Sequence, residues 1–172
     1  MPFDKVRDKD SPASICLICE IAAWAKDNGK TLYDLLMDIY LEYGFSHEHT
    51  INVVRPGKTG ADEIKAMMER FRNNPPTDLG GSKIAFMRDF QTLEQTNADG
   101  SKVKLNQPAT SNVLQWFCED GTKVSVRPSG TEPKIKFYLE VKGEMKCAGC
   151  YERCMNESTV KIAAIKKSLG LE

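Results

Sequence analysis

Thr122-Lys123-Val124-Ser125-Val126-Arg127-Pro128-Ser129-Gly130-Thr131-Glu132-Pro133-Lys134-Ile135-Lys136-Phe137-Tyr138-Leu139-Glu140-Val141 is the stretch on which the fold turns. Residues 122–127 alternate apolar and polar side chains, the pattern of a strand with one buried face, and residues 135–141 do so again. Pro128 and Pro133 stiffen the connection, which lowers the entropy lost when a ligand binds. A loop held between two strands is a place where a rigid scaffold presents functional groups. The chemistry here is that of an oxyanion pocket. Arg127 offers a planar fork to a phosphate, and Ser129 and Thr131 bring hydroxyl donors. Gly130 permits a turn in which successive amides converge on an anion. Lys136 is a secondary candidate, because a strand residue just beyond the turn points either into the pocket or away from it.

Outward from that hairpin the pattern stays antiparallel. Residues 113–118 read as a strand that turns back through Glu119-Asp120-Gly121. Residues 83–95 read as one or two strands, followed by a turn at Asn97-Ala98-Asp99-Gly100. Residues 51–55 form a strand broken by Pro56-Gly57. Residues 61–72 make an amphipathic helix with Ile64, Met67, Met68 and Phe71 inward, stopped by Asn73-Asn74-Pro75-Pro76. A final helix over about 158–169 carries Val160, Ile162, Ile165 and Leu169. From residue 45 the order is therefore β-α-β-β-β-β-α, an α+β domain with an antiparallel sheet and two helices.

The first 44 residues are different in kind. Ser11-Pro12 starts a helix that glycine ends at Asn28-Gly29, and between Ile15 and Ala25 its single charged residue is Glu20. So apolar a helix expects burial on several faces. Thr31 caps a second helix bearing Leu32, Leu35, Leu36, Ile39, Tyr40 and Tyr43, which stops at Gly44. The hairpin looks unfinished: it docks on the following domain, or it is what remains of a larger one. The expected division is residues 1–44 and residues 45–172.

Lysine plus arginine equals aspartate plus glutamate, 24 against 24, so neither a general nucleic-acid role nor a membrane-surface role is favoured. A small anionic ligand suits that balance better. Hydrophobic residues at 41% and charged residues at 28% are ordinary for a globular protein. No run of roughly 18 apolar residues exists to span a bilayer, and the charged start Met1-Pro2-Phe3-Asp4-Lys5 lacks a signal-peptide core. The six cysteines are accordingly expected as reduced thiols in a cytoplasmic protein. Cys147, Cys150 and Cys154 have the spacing of half a zinc site, while Cys16 and Cys19 lie on the apolar helix as small hydrophobes. His47 and His49 share one strand face without an evident third ligand, so no metal site is expected. Trp24, Trp116 and Phe117 read as packing residues.

Arg127-Pro128-Ser129-Gly130-Thr131-Glu132-Pro133-Lys134-Ile135-Lys136-Phe137-Tyr138 resembles the C-terminal signature of the α-D-phosphohexomutases, the family of phosphoglucomutase and phosphomannomutase. Upstream, Val6-Arg7-Asp8-Lys9-Asp10 and Gly29-Lys30-Thr31-Leu32-Tyr33-Asp34-Leu35-Leu36 resemble the latter part of that family's third domain. The resemblance implies four domains around a cleft. The first carries a phosphoserine, the second holds Mg²⁺, the third reads sugar hydroxyls and the fourth grips the substrate phosphate. Motifs for the first three are absent from this sequence: Ser46-His47-Glu48 is not the serine loop, and Asp8-Lys9-Asp10 is one carboxylate short of the metal motif.

On that resemblance the chain is a C-terminal fragment, the tail of domain three plus domain four, inactive alone and without a metal of its own. Arg127, Ser129, Gly130 and Thr131 fall on phosphate-contacting positions, and Lys9 matches a basic residue near the reacting centre. The implied reaction moves a phosphoryl group between the 1 and 6 positions of a hexose through a bisphosphate. The implied partners are glucose or mannose phosphates, with phosphate or sulfate accepted in the loop. The loop's ending suits the phosphoglucomutase and phosphopentomutase branches. A free-standing phosphosugar-binding or regulatory module is the alternative, and self-association through the apolar first helix is expected of an isolated chain.

Overall fold

The structure, a computed structural model, describes residues 9–171. Val6, Arg7 and Asp8 of the motif around Lys9 therefore lie outside the described residues. The chain divides into two compact units, residues 1–44 with 145–151, and residues 45–144 with 152–172.

In the first unit, helix α1 (Ser11–Asp27) is capped by Asp10, whose carboxylate accepts from the Ala13 N–H at 3.0 Å. The capping hydroxyl expected from Ser11 is thus moved one residue upstream and becomes a carboxylate. Helix α2 (Leu32–Tyr43) opens with a reciprocal box: Thr31 Oγ1 accepts from the Asp34 N–H, and Asp34 accepts from the Thr31 N–H at 2.8 Å. Those Thr31 hydrogen bonds hold the Asp34 carboxyl below its usual range. Tyr33 and Tyr40 pack on Tyr151 with ring centroids 5.8 and 6.2 Å apart. Burial of α1 is much less than its composition leads one to expect. Ala25 is its one buried residue, whereas Ile15, Ile18 and Trp24 are about half exposed. Cys16 and Cys19 are exposed too, and so do not serve as core residues.

The second unit is an antiparallel sheet with helices on one face. Its strands are β1 (Phe45–Val54), β2 (Asp78–Leu79), β3 (Ser82–Asp89), β4 (Glu94–Asn97), β5 (Lys102–Lys104), β6 (Leu114–Cys118), β7 (Lys123–Pro128) and β8 (Lys134–Gly143). Across the sheet they run β1-β8-β7-β6-β3-β4-β5, with β2 paired to β3, and every pairing is antiparallel. Helix α3 (Lys58–Asn73) follows β1, and helix α4 (Tyr151–Ser168) closes the chain. The protein is α+β. Strand β1 begins six residues before the expected 51, α3 starts at 58 rather than 61, and α4 starts at 151 rather than 158. The residues 83–95 resolve into two strands, and two short strands, β2 and β5, join the expected set.

Alternation decides which face is core. Val124, Val126, Ile135, Phe137, Leu139 and Trp116 are buried against Ile64, Met68 and Phe71 of α3 and Ile162 and Ile165 of α4. Phe71 meets Trp116 and Phe137 edge-on, with centroids 5.2 and 6.0 Å apart, and such pairs add about 0.5–1.5 kcal/mol to simple burial. Trp116 is a core residue, as expected, but Phe117 points to the opposite face, stacked on Phe86 at 4.5 Å with Arg88 over both rings. No helix among the described residues is long and apolar enough to cross a membrane.

Candidate functional site

Strands β7 and β8 deliver the loop. Their register sets Arg127 opposite Lys136, between the buried pair Val126–Phe137 and the pair Pro128–Ile135. Because side chains alternate across a strand, Arg127 and Lys136 stand together on the face away from the helices. Lys136 stands beside Arg127 on that open face, and neither lines the cleft on the helix side of the loop. Neither cation forms an ion pair with an acid among the described residues, although the charge of Lys136 helps hold Glu132 ionised.

The loop closes on its own hydrogen bonds. The Ser129 N–H donates to Lys134 O at 2.8 Å, the Lys134 N–H to Glu132 O at 2.7 Å, and the Thr131 N–H to Ser129 Oγ at 3.4 Å. From outside, the Arg55 N–H at the end of β1 donates to Pro133 O at 2.9 Å and ties the loop to the sheet's edge. Lys134 pairs with Glu132, and this hydrogen bond and charge lower the Glu132 carboxyl below its usual range. No residue between 127 and 136 has a positive φ, so an amide nest of the alternating right- and left-handed form is not present in the loop. A Cβ at Gly130 would meet nothing within 4 Å, so neither turn geometry nor packing demands glycine there. What Gly130 leaves is open space on an exposed backbone N–H.

On the helix side, Ser129, Gly130 and Thr131 form one wall of a cleft of about 710 Å³. The opposite wall is α3, through Lys65, Glu69 and Arg72. Arg72 is fixed there: its Nε donates to Asp89 Oδ2 at 3.0 Å and its Nη2 to Asn112 Oδ1 at 2.5 Å. Asp89 is buried and accepts a further bond from the Gln91 N–H at 2.9 Å. The loop is therefore reached from two sides, by Arg127 and Lys136 from the open sheet face and by the α3 wall from the other. Sequence reading missed the second wall. The available signal was the stripe 65, 69, 72, whose helical spacing runs beside the inward stripe of Ile64, Met68 and Phe71.

The other candidates fall elsewhere. Lys9 is exposed, just ahead of α1 in the first unit. His47 and His49 do share a face, rings 6.5 Å apart, and His47 Nδ1 bonds Ser158 Oγ at 2.7 Å. Among the described residues no three His, Cys, Asp or Glu side chains gather to hold a metal ion. Cys147 and Cys150 are joined as a disulfide, which corrects the expectation of six reduced thiols, while Cys118 and Cys154 are buried and free.

The α+β domain thus sets an arginine–lysine register pair beside a Ser-Gly-Thr turn at the end of its sheet. The sequence profile of the phosphoglucomutase/phosphomannomutase C-terminal domain matches residues 51–156, more than half of the chain, and the chain belongs to that family. It is 34% identical to a phosphoglucomutase of Staphylococcus haemolyticus over 138 residues, covering 80% of this chain and 25% of the relative. It is 37% identical to a phosphoglucomutase of Staphylococcus aureus over 141 residues, covering 82% of this chain and 25% of the relative. The chain thus spans about a quarter of the length of the curated relatives it matches. A solved structure of parafusin, a phosphoglucomutase from Paramecium in an open form, overlaps 97% of this chain and 29% of its own. That overlap has a TM-score of 0.47 at 14% sequence identity.

Proposed function

We propose that this chain supplies the substrate-phosphate clamp of a cytoplasmic phosphoglucomutase/phosphomannomutase-type isomerase. Residues 45–172 act as the fourth domain of that enzyme, and residues 1–44 are the end of its third. The observation that carries the reading is the Arg127–Lys136 register pair at the mouth of the Ser129-Gly130-Thr131 loop, in a chain of this family. Arg127 and Lys136 neutralise a phosphate, the Ser129 and Thr131 hydroxyls and the Gly130 N–H donate to its oxygens, and water is displaced from a loop already stiffened by Pro128 and Pro133.

The substrate is a hexose phosphate, glucose or mannose, whose second phosphate reacts elsewhere. Holding the unreactive phosphate fixes the reacting oxygen in place, so remote binding lowers the chemical barrier. The pentose branch that the loop's ending also suits finds no support in the relatives named above, which are phosphoglucomutases. Lys9 serves the reacting centre only in the intact enzyme, by stabilising charge or assisting proton transfer. The Mg²⁺ that the resemblance implies has no ligand set among the described residues. Within the first unit Ile15, Ile18 and Trp24 of α1 stay about half exposed, a face that suits the remainder of a larger domain.

Titration of the isotope-labelled chain with inorganic phosphate and with glucose 6-phosphate tests the clamp. The amides of residues 127–131 shift at millimolar ligand and those of α1 do not. Unmoved loop amides would remove the assignment, and mutase activity from this chain alone would overturn the division of labour.

A further inference from the structure

Cys147, Ala148, Gly149 and Cys150 form a C-x-x-C turn whose ends are joined by a disulfide. Its last three residues are one turn of 3-10 helix, Ala148–Cys150, and the chain runs on directly into the 18-residue helix α4. Cys147 is exposed and Cys150 partly exposed. We propose that Cys147–Cys150 is a thiol–disulfide exchange site that takes electrons from a dithiol.

Three observations support this over a purely structural staple. The bond spans a sequence separation of 3, and so short a loop constrains the unfolded chain less than a long one does. The sulfurs lie at the surface, whereas the buried Cys118 and Cys154 offer an attacking thiolate no such approach. The pair also sits at the N-terminal end of a long helix, where the macrodipole favours a thiolate and so makes it a better leaving group. A disulfide in a cytoplasmic protein is moreover usually transient or redox-active rather than a fixture.

The exchange balances as follows. One thiolate of the dithiol attacks Cys147 Sγ, the S–S bond breaks, and Cys150 leaves as a thiolate at the start of α4. The second thiol of the reductant then attacks the mixed disulfide at its own sulfur, forming the reductant's disulfide and releasing the Cys147 thiolate. Two electrons pass to the cysteine pair, and the two protons of the dithiol end on Cys147 and Cys150. The turn also connects to the rest of its unit, because Tyr151, next to Cys150, is the residue on which Tyr33 and Tyr40 of α2 pack. The redox state of the pair therefore bears on the seat of α2.

The test uses the full chain under native conditions, equilibrated in mixtures of reduced and oxidised dithiothreitol, quenched by alkylation and read by peptide mass spectrometry. Cys147 and Cys150 pass together from disulfide to two alkylated thiols without denaturant. In the reduced protein Cys147 then alkylates at least about tenfold faster than Cys118 or Cys154. In a Cys16→Ser/Cys19→Ser background, Cys150→Ser traps a mixed disulfide with thionitrobenzoate on Cys147. A pair that stays oxidised until the protein is unfolded overturns the proposal, as does a pair that will not re-form in oxidised dithiothreitol. The wild-type titration stands independently should the triple variant fail to fold.

Discussion

Single residues in the loop divide into those that hold it and those that face outward. Arg127 and Lys136 belong to the second group, since their neighbours along the strands, Val126 and Phe137, carry the packing. Hydrogen bonds to charged groups are worth about 1.5–3 kcal/mol, so Arg127→Ala and Lys136→Ala should each weaken phosphate binding by about ten- to a hundredfold. Unfolding midpoints in urea should barely move, because exposed substitutions of this kind stay within about 0.5 kcal/mol. As register partners the two are expected to be non-additive in the double variant, and isothermal titration at low salt measures the coupling. Gly130→Ala separates ligand clearance from folding. Its Cβ has open space and its φ is not left-handed, so stability should hold while phosphate affinity falls. Glu132 works in the other direction: it puts a negative charge beside the anion's seat and occupies Lys134. Glu132→Gln should therefore tighten phosphate binding severalfold, an effect that shrinks as salt rises. The Arg, Ser, Gly and Thr of this loop were legible in the sequence because they are contiguous. Arg72, Asp89 and Asn112 were not, since tertiary packing alone brings together residues 17 and 40 positions apart.

At the scale of elements, the loop depends on the corner between β1 and α3. Gly60, in the first turn of α3, lies so close to Arg55 that an added Cβ would fall 1.8 Å from its carbonyl oxygen. The same Arg55 donates its N–H to Pro133 O. Gly60→Ala should accordingly cost about 1–3 kcal/mol, as overpacking does, and should also shift the amides around Pro133; urea unfolding and amide spectra read the two effects separately. On the open sheet face, Glu140 of β8 accepts hydrogen bonds from Lys123 of β7 and Lys142 of its own strand, which hold its carboxyl below the ordinary value of 4.5. A carboxylate depressed on folding adds stability above its ordinary value, and that stability is lost as pH falls through the lower folded value. Wild-type stability should thus decline across the acid range below about 4.5, and Glu140→Gln should flatten that part of the profile. The element boundaries that sequence reading misplaced share a cause. The segment Ser46-His47-Glu48-His49-Thr50 and the strand β5 are polar edge strands, defined by pairing to β8 and β4 rather than by an apolar alternation. The first turns of α4, Tyr151-Glu152-Arg153-Cys154-Met155-Asn156-Glu157, lack the apolar periodicity that marked residues 158–169.

For the molecule as a whole, the imbalance between the two units is the physical fact to be explained. The second unit buries a continuous core from β1 to α4, while α1 of the first presents Ile15, Ile18 and Trp24 at 60%, 48% and 56% exposure. The sequence made this legible as an excess of apolar residues, and only the structure showed that the first unit by itself leaves the excess uncovered. Fully burying a side chain of this kind is worth about 1.5–3 kcal/mol. A unit left with three such side chains in water is driven to bury them against another surface, and for a purified sample a second copy offers one. Sedimentation velocity across a concentration series should therefore show reversible self-association, weakened about tenfold or more by Ile18→Lys. Phosphate titration of the same variant should be unchanged, because residue 18 belongs to the unit that does not carry the loop. A chain that stays monomeric at several hundred micromolar would show that α1 needs no partner, and would return weight to the reading of a self-sufficient binding module.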